Sequence, residues 1–136
     1  MAAAASFIAV PKSPVVAFLN GDGVAFKSVM SGATLGSRVD SLSITNSDPT
    51  NAYVVQLAVL VSGVDYVLGE APVPAGAGTN GVAPAVAGFD PDWIPALNYT
   101  EGGAVFLGNG ATLRARVKAP VAGGNAVHIV GVAGDY

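Results

Sequence analysis

The hydrophobic and polar positions of this chain alternate with the two-residue period of β-strands over most of its length. Between Arg38 and Asn46, for example, Leu42 and Ile44 alternate with Ser41 and Ser43, and the pattern breaks at the turn sequence 46–49. Similar patterns predict seven further strands, over Val15 to Leu19, Val24 to Val29, Tyr53 to Val61, Val64 to Leu68, Val105 to Leu107, Thr112 to Ala119 and Ala126 to Ala133.

Two short turn sequences predict hairpins between these strands. Residues 20–23, Asn-Gly-Asp-Gly, separate the first two predicted strands, and their Gly and Asn residues can supply the positive φ angles of a tight turn. Ser62-Gly63 joins the strand ending at Val61 to the one starting at Val64 and is the strongest hairpin signal in the chain.

The strand from Tyr53 to Val61 is apolar on both alternating faces apart from Gln56. Such a strand is expected to be covered on both faces. In a two-layer sandwich one cover is the opposite sheet, so a loop or another subunit is expected to supply the second.

The segment 69–103 is rich in Pro and Gly, which predicts a long connection that is compatible with a Greek-key crossover. Within it, Asp90-Pro91 predicts an N-cap followed by a first-turn proline, and Pro95 limits this helix to about one turn.

Composition supports an all-β fold. The chain has 136 residues, of which 51% are hydrophobic and only 11% charged, against about 25% charged in ordinary domains. Ala and Val dominate the apolar residues, and 18 Gly and 9 Pro provide for many turns. We therefore predict a single-domain, jelly-roll-like β-sandwich of about eight strands over 15–136. Residues 1–14 are predicted to form an extended N-terminal arm whose residues 7–10 add a strand to this subunit or to a neighbour.

Charge and hydropathy exclude several classes of protein. A net charge of −3 and a pI near 4.7 argue against a nucleic-acid binder, and a mean hydropathy of +0.55 excludes a disordered chain. No hydrophobic run is long enough to span a membrane, and no basic residue precedes the apolar N-terminal stretch, so neither a span nor a signal peptide is predicted.

Candidate catalytic and metal-binding residues are sparse. The chain has no Cys, and its one histidine, His128, lies in a strand pattern that predicts a hydrogen-bonded side chain on a sheet face. Asp90 and Asp92 are better explained as capping residues than as an acid and base pair. Gly76-Ala77-Gly78 lacks the lysine and helix of a phosphate-binding loop. We predict no catalytic residue, no metal site and no cofactor.

Two features are candidates for partner contact. Arg114, Arg116 and Lys118 occupy alternate positions and are expected to line one face of a strand, either as a solvated face or as a dock for an acidic protein. The second feature is an apolar loop cluster, which either plugs the end of the sandwich or anchors a partner. Its members are Phe89, Trp93, Ile94, Leu97 and Tyr99.

Several segments between residues 39 and 136 resemble a known family. They are Leu42-Ser43-Ile44-Thr45-Asn46, Val73-Pro74-Ala75-Gly76-Ala77-Gly78-Thr79, Gly110-Ala111-Thr112-Leu113 and Gly134-Asp135-Tyr136. These segments resemble small β-sandwich virion proteins of tailed bacteriophages, and in particular the jelly-roll cement, or head-decoration, proteins of the capsid.

The resemblance implies a non-enzymatic homodimer or homotrimer that is made in the host bacterial cytoplasm and binds the outer capsid surface. There it would bridge major capsid subunits, without nucleic-acid or membrane partners. A charge-poor chain with a two-sided apolar strand is also expected to bury further surface in an assembly. The alternative is a receptor- or glycan-binding module of a tail fibre, in which Trp93 and Tyr99 stack on sugars.

Overall fold

The computed structural model describes residues 8–95, 97 and 103–136, and their regular structure is almost entirely β. Ten strands are present in this part of the chain, and Asn20–Asp22 forms a 3-10 turn. The strands are β1 (Val10–Lys12), β2 (Val15–Phe18), β3 (Lys27–Ser31), β4 (Ser37–Asn46), β5 (Tyr53–Val61), β6 (Val64–Val73), β7 (Val86–Ala87), β8 (Val105–Leu107), β9 (Thr112–Val117) and β10 (Val127–Asp135).

The strands form two antiparallel sheets that face each other. In the six-stranded sheet, β10 and β4 pair with each other at the centre. On the side of β10 away from β4, β1 and β2 pair with successive parts of β10, and on the side of β4 away from β10, β7 and β8 pair with β4. The four-stranded sheet has the order β3-β9-β5-β6. Apart from β1–β2, β5–β6 and β7–β8, every connection crosses between sheets, which is the jelly-roll arrangement.

The predicted all-β sandwich is therefore confirmed. The eight predicted strands correspond to β2–β6 and β8–β10, with the predicted ends for β5 and β8 and shifted ends for the others. The two additional strands, β1 and β7, are only three and two residues long. Within the predicted arm, β1 pairs with the end of β10 in the same chain, placing Val10 opposite Asp135. Residues 1–7, including Phe7 of the predicted arm strand, lie outside the described residues.

The predicted hairpin at residues 20–23 is wrong. Strand β2 pairs with β10, whereas β3 pairs with β9, so the 3-10 turn between them carries the chain from one sheet to the other. Within the turn, the Asp22 carboxylate accepts a 2.8 Å hydrogen bond from the Leu19 N–H and lies 2.8 Å from Lys27 Nζ. A turn sequence shows where the chain reverses, but it does not show whether the flanking strands share a sheet.

The predicted β5–β6 hairpin is confirmed. Ser62 and Gly63 have φ angles of 51° and 79°, the left-handed values that a two-residue hairpin turn requires. Strand β6 continues to Val73 through Gly69 and Pro72, so the long connection begins later than predicted. Proline is tolerated there because β6 is an edge strand, where one side of the backbone needs no partner.

The core lies between the two sheets and consists of inward-facing aliphatic side chains. Leu57 from β5, Leu113 from β9, and Ile44 and Ile129 from β4 and β10 are completely buried. Alternation then places the intervening residues of each strand on the outer faces.

Candidate interaction surfaces

The outer side of the four-stranded sheet carries the basic residues that the sequence analysis singled out. Arg114, Arg116 and Lys118 follow one another on the outer side of β9 and the residue after it, because Leu113, Ala115 and Val117 point into the core. We call this side of the sheet the charged face, and it consists of Gln56, Asp65, Glu70, Arg114, Arg116 and Lys118.

Acidic and amide groups from neighbouring strands partner these cations. Lys118 Nζ lies 2.8 Å from Glu70 Oε1, and Arg114 Nη1 lies 3.4 Å from Asp65 Oδ2. Arg116 Nε donates a 2.9 Å hydrogen bond to an amide oxygen on β5. The hydrogen bond from Lys118 holds the pKa of Glu70 below its usual range. The face thus carries three cations against two carboxylates, so its net charge is small.

The aromatic ring of Phe26, the residue before β3, packs against the two arginines. The guanidinium carbons of Arg114 and Arg116 lie 5.4 Å and 5.0 Å from the ring centroid of Phe26, within cation–π range. Gln56 and Ala58 on β5 pair with these arginines and are buried. The outer side of β5 was expected to be covered by a loop or a second subunit. It is covered in part by the arginine side chains of the neighbouring strand β9.

The apolar loop cluster lies against the core. Ile94 and Leu97 are buried, and Phe89 and Trp93 are half-buried against core residues. The backbone oxygen of Trp93 comes so close to Gly69 that a β-carbon there would lie 1.9 Å away. These contacts are those expected of a plug, whereas partner contact by Phe89 and Trp93 stays a prediction and Tyr99 lies outside the described residues.

Asp90 forms the predicted cap of this segment. Its Oδ1 accepts a 2.9 Å hydrogen bond from the Asp92 N–H, and its backbone oxygen accepts bonds from the N–H groups of Trp93 and Ile94. Asp90 thus caps a turn and Asp92 lies within that turn, as predicted from their spacing.

A second surface, on the outer side of the six-stranded sheet, was not predicted. We call it the uncharged face, and its exposed centre consists of Val15, Ser41, Ser43, His128, Val130 and Val132. The three valines are 68%, 51% and 60% exposed. A shallow groove of about 280 Å³ runs along it between β2 and β10.

A local signal for this face existed. In residues 127–132 both alternating sets contain valine or isoleucine, the same two-sided pattern that marked the strand from Tyr53 to Val61. Here Val127 and Ile129 are buried, whereas Val130 and Val132 on the other side are exposed. His128 lies on this outer side, as predicted for a sheet-face histidine, but no hydrogen bond to its ring occurs within the described residues.

Exposed apolar residues also occur at the tip of the β5–β6 hairpin. Val64, Tyr66 and Val67 are between 50% and 59% exposed. Asp65 lies among them and pairs with Arg114, so this tip is a smaller and more mixed surface than the uncharged face.

No grouping of residues for metal binding is found in the part of the chain that the structure describes, where no three His, Asp or Glu side chains converge. The Gly76-Ala77-Gly78 segment forms a hydrogen-bonded loop in which Thr79 Oγ1 donates to the backbone oxygen of Asn46. Among the described residues, no helix has the length and apolar character needed to cross a membrane.

A comparison with solved structures gives a structural likeness. The chain is similar to a chain of a solved structure titled "Cyanophage Pam1 capsid asymmetric unit", with a TM-score of 0.47 and 18% sequence identity. The match covers 100% of this chain and 92% of that chain. No protein-family model and no curated protein matches the sequence.

Proposed function

We propose that this chain is a non-enzymatic structural protein of a tailed-phage virion, a cement protein that binds the outer capsid surface and bridges major capsid subunits. The observation that carries the proposal is the uncharged face, a valine-rich outer surface in a chain with only 11% charged residues. Large exposed apolar surfaces mark assembly sites. The resemblance of residues 39–136 to phage cement proteins supports the same function.

The charged face is the surface that we assign to the shell contact. Lys118 is exposed at its end, and Arg114 and Arg116 are half-buried but held in place by Phe26. Ordered side chains lose less entropy on binding. The cations of this face outnumber its carboxylates by one, which favours an acidic surface of the major capsid protein as the partner. Many copies on a repeating shell need only modest affinity each, provided that each particle makes more than one contact.

The alternative function, a glycan- or receptor-binding module of a tail appendage, has less support. As predicted from the sequence, it relies on Trp93 and Tyr99 to stack on sugars, and Trp93 is half-buried against the core. Jelly rolls occur in both capsid and lectin domains, so the fold by itself does not separate the two functions. A glycan array does so, because only the alternative predicts hits that Trp93→Ala abolishes.

The proposal is tested by adding the purified chain to undecorated capsids of the phage that encodes it and pelleting the particles. We expect saturable binding that Lys118→Glu weakens, because this change reverses an exposed charge. Asp92→Asn, an exposed change outside the charged face, serves as the matched control and should bind like the unaltered chain. Absence of saturable binding by the unaltered chain would overturn the proposal.

A further inference from the structure

Residues 8–14 lie along the edge of the six-stranded sheet, beside the last part of β10. We call this segment the strap. Its strand β1 has only three residues, all of them exposed, and within the described chain it pairs with β10 and with no other strand. Pro11 and Pro14 have no N–H group to donate to this pairing. Few backbone hydrogen bonds are therefore available to hold the strap in place, and its side-chain contacts carry more of that task.

Two glycines of β10 make room for the strap. A β-carbon at Gly134 would overlap Ile8 Cγ2 and would lie 3.1 Å from the Val10 backbone oxygen. A β-carbon at Gly131 would lie 2.7 Å from Pro14 Cγ. The Gly131 N–H also donates a 2.8 Å hydrogen bond to the Pro14 backbone oxygen. The strap therefore contacts β10 closely at both of its ends.

Asp135, at the end of β10, links the strap to three other segments. Its Oδ2 lies 3.0 Å from Lys12 Nζ, and its backbone oxygen accepts a 2.8 Å hydrogen bond from the Ala9 N–H. Its Oδ1 accepts a 2.6 Å hydrogen bond from the Ser37 hydroxyl at the start of β4. The Ser37 oxygen in turn accepts a 2.9 Å hydrogen bond from the Ala33 N–H. One buried residue thus joins the strap to β10, to β4 and to the loop before β4.

The two members of the ion pair depend on it unequally. The hydrogen bonds from Ser37 and Lys12 hold the pKa of Asp135 below its usual range, so this carboxyl is ionised at neutral pH. Within the described residues, Lys12 is the one cation that lies within 4 Å of it. A buried carboxylate that loses its cation is destabilised, whereas the Lys12 side chain is 48% exposed and is well solvated without its partner. Asp135 therefore favours the attached position of the strap.

The attached strap also narrows an opening between the two sheets. A groove of about 370 Å³ separates the end of the strap from β3 and is lined by Lys12, Ser13, Pro14, Val29, Met30 and Ser31. Val29 and Met30 are buried members of the hydrophobic core. Movement of Lys12 away from β10 would therefore widen this groove and expose core side chains to solvent.

We propose that the strap detaches from β10 as a unit while the rest of the sandwich stays folded, and that the contact between Lys12 and Asp135 sets how often it does so. Pro14 is the hinge, because its backbone oxygen stays bonded to Gly131 and β2 begins at the next residue. Elements with few buried contacts open locally at a lower free energy than the whole domain. The opening is a property of the isolated chain, so it does not depend on the proposed function.

The experiment is amide hydrogen exchange of the full chain, read by NMR at three positions. The Ala9 amide reports the attachment of the strap, because it donates to Asp135, and the Gly131 amide reports the hinge. The amide of Leu57, a completely buried residue of β5, reports the core. In the unaltered chain we expect the Ala9 amide to exchange faster than the Leu57 amide and more slowly than an unprotected one.

Lys12→Met removes the cation and keeps a side chain of similar length. It should speed exchange of the Ala9 amide by about tenfold or more, with little change at Gly131 and Leu57. Lys12→Arg retains a cation and should restore the protection of Ala9. Lys118→Met is the matched control, because it removes the cation of a 2.8 Å ion pair on the other sheet and should leave the Ala9 amide unchanged.

A second variant keeps the proposal falsifiable if Lys12→Met fails to fold. Gly134→Ala leaves the ion pair in place but adds a methyl group where Ile8 lies, so it should also speed exchange of the Ala9 amide. Gly123→Ala is its control, since nothing lies within 4 Å of that β-carbon position.

Four results would overturn the proposal. An Ala9 amide that is unprotected in the unaltered chain shows that the strap is not attached, and one as slow as Leu57 shows that it does not open separately. Equal Ala9 rates in the unaltered chain and folded Lys12→Met show that the ion pair does not control opening. An acceleration that Leu57 shares shows that the whole domain opens instead. No capsid is present in these measurements, so none of these results bears on the proposed function.

Discussion

The Tyr53 hydroxyl donates a 2.7 Å hydrogen bond to Oδ2 of Asp48, and both residues are buried at one end of the sandwich. The same hydroxyl accepts a 2.9 Å hydrogen bond from the backbone N–H of Ala122. Two loops and the start of β5 are thereby joined through one side chain. Tyr53→Phe removes both bonds and should lower the free energy of unfolding by about 1–2 kcal/mol, measured by urea denaturation. An unchanged midpoint would show that these bonds do not contribute to stability.

Stability should decrease in acid because of Asp48. The Asn51 side chain, the Tyr53 hydroxyl and the N–H groups of Thr50 and Asn51 donate to its carboxylate and hold its pKa well below the usual 3.8. A carboxyl with a lowered folded pKa stabilises the fold above its unfolded pKa, and that contribution is lost as the pH falls toward the folded pKa. The free energy of unfolding should therefore begin to decline below about pH 5.

Asp48→Asn isolates this effect. The variant should be less stable than the unaltered chain at neutral pH, and the difference between them should shrink as the pH falls toward 3. Asp92→Asn, which removes the charge of an exposed carboxyl, is the matched control for the change in net charge. If the free energy of unfolding changes with pH in the same way in the unaltered chain and in Asp48→Asn, Asp48 is not the cause of the acid sensitivity.

Gly69 should not tolerate a side chain. A β-carbon there would lie 1.9 Å from the Trp93 backbone oxygen and 3.1 Å from Ile94 Cγ1, so Gly69→Ala must displace the loop cluster. We expect a loss of about 1–3 kcal/mol, as for other overpacked sites, and a shift in the fluorescence of Trp93, the chain's one tryptophan. Gly123→Ala is the control, since nothing lies within 4 Å of its β-carbon position. Equal stability of the two variants would contradict the close packing of the loop cluster against Gly69.

Phe26 should hold the charged face in order. Phe26→Leu retains an apolar side chain but removes the ring beneath Arg114 and Arg116, which should cost about 1 kcal/mol at this partly exposed site. If the shell contact uses ordered arginines, the variant should also bind capsids more weakly than its change in stability explains. Capsid binding equal to that of the unaltered chain would show that binding does not depend on the ordering of Arg114 and Arg116 by Phe26.

Local sequence signals account for most of the strands but not for their partners. Ser62-Gly63 specified its hairpin because two residues with positive φ are sufficient to reverse adjacent strands. The turn at 20–23 gave a similar signal, yet its strands belong to different sheets, since pairing with β9 or β10 depends on contacts about 100 residues away. The end of β6 was misplaced because Gly69 and Pro72 are compatible with an edge strand, a position that composition does not reveal.

The candidate surfaces were likewise predicted from the sequence only in part. Alternation placed Arg114, Arg116 and Lys118 on one face, but it could not show that Asp65 and Glu70 partner them. The uncharged face was missed because the two-sided apolar pattern of residues 127–132 does not indicate which of its sides the opposite sheet covers.

Cryo-electron microscopy of capsids before and after addition of the chain tests the central claim most directly. The account predicts additional density on the outer surface at a fixed lattice position, into which the sandwich fits and which touches at least two major capsid subunits. Maps that are identical with and without saturating protein, or density confined to the tail, would contradict it.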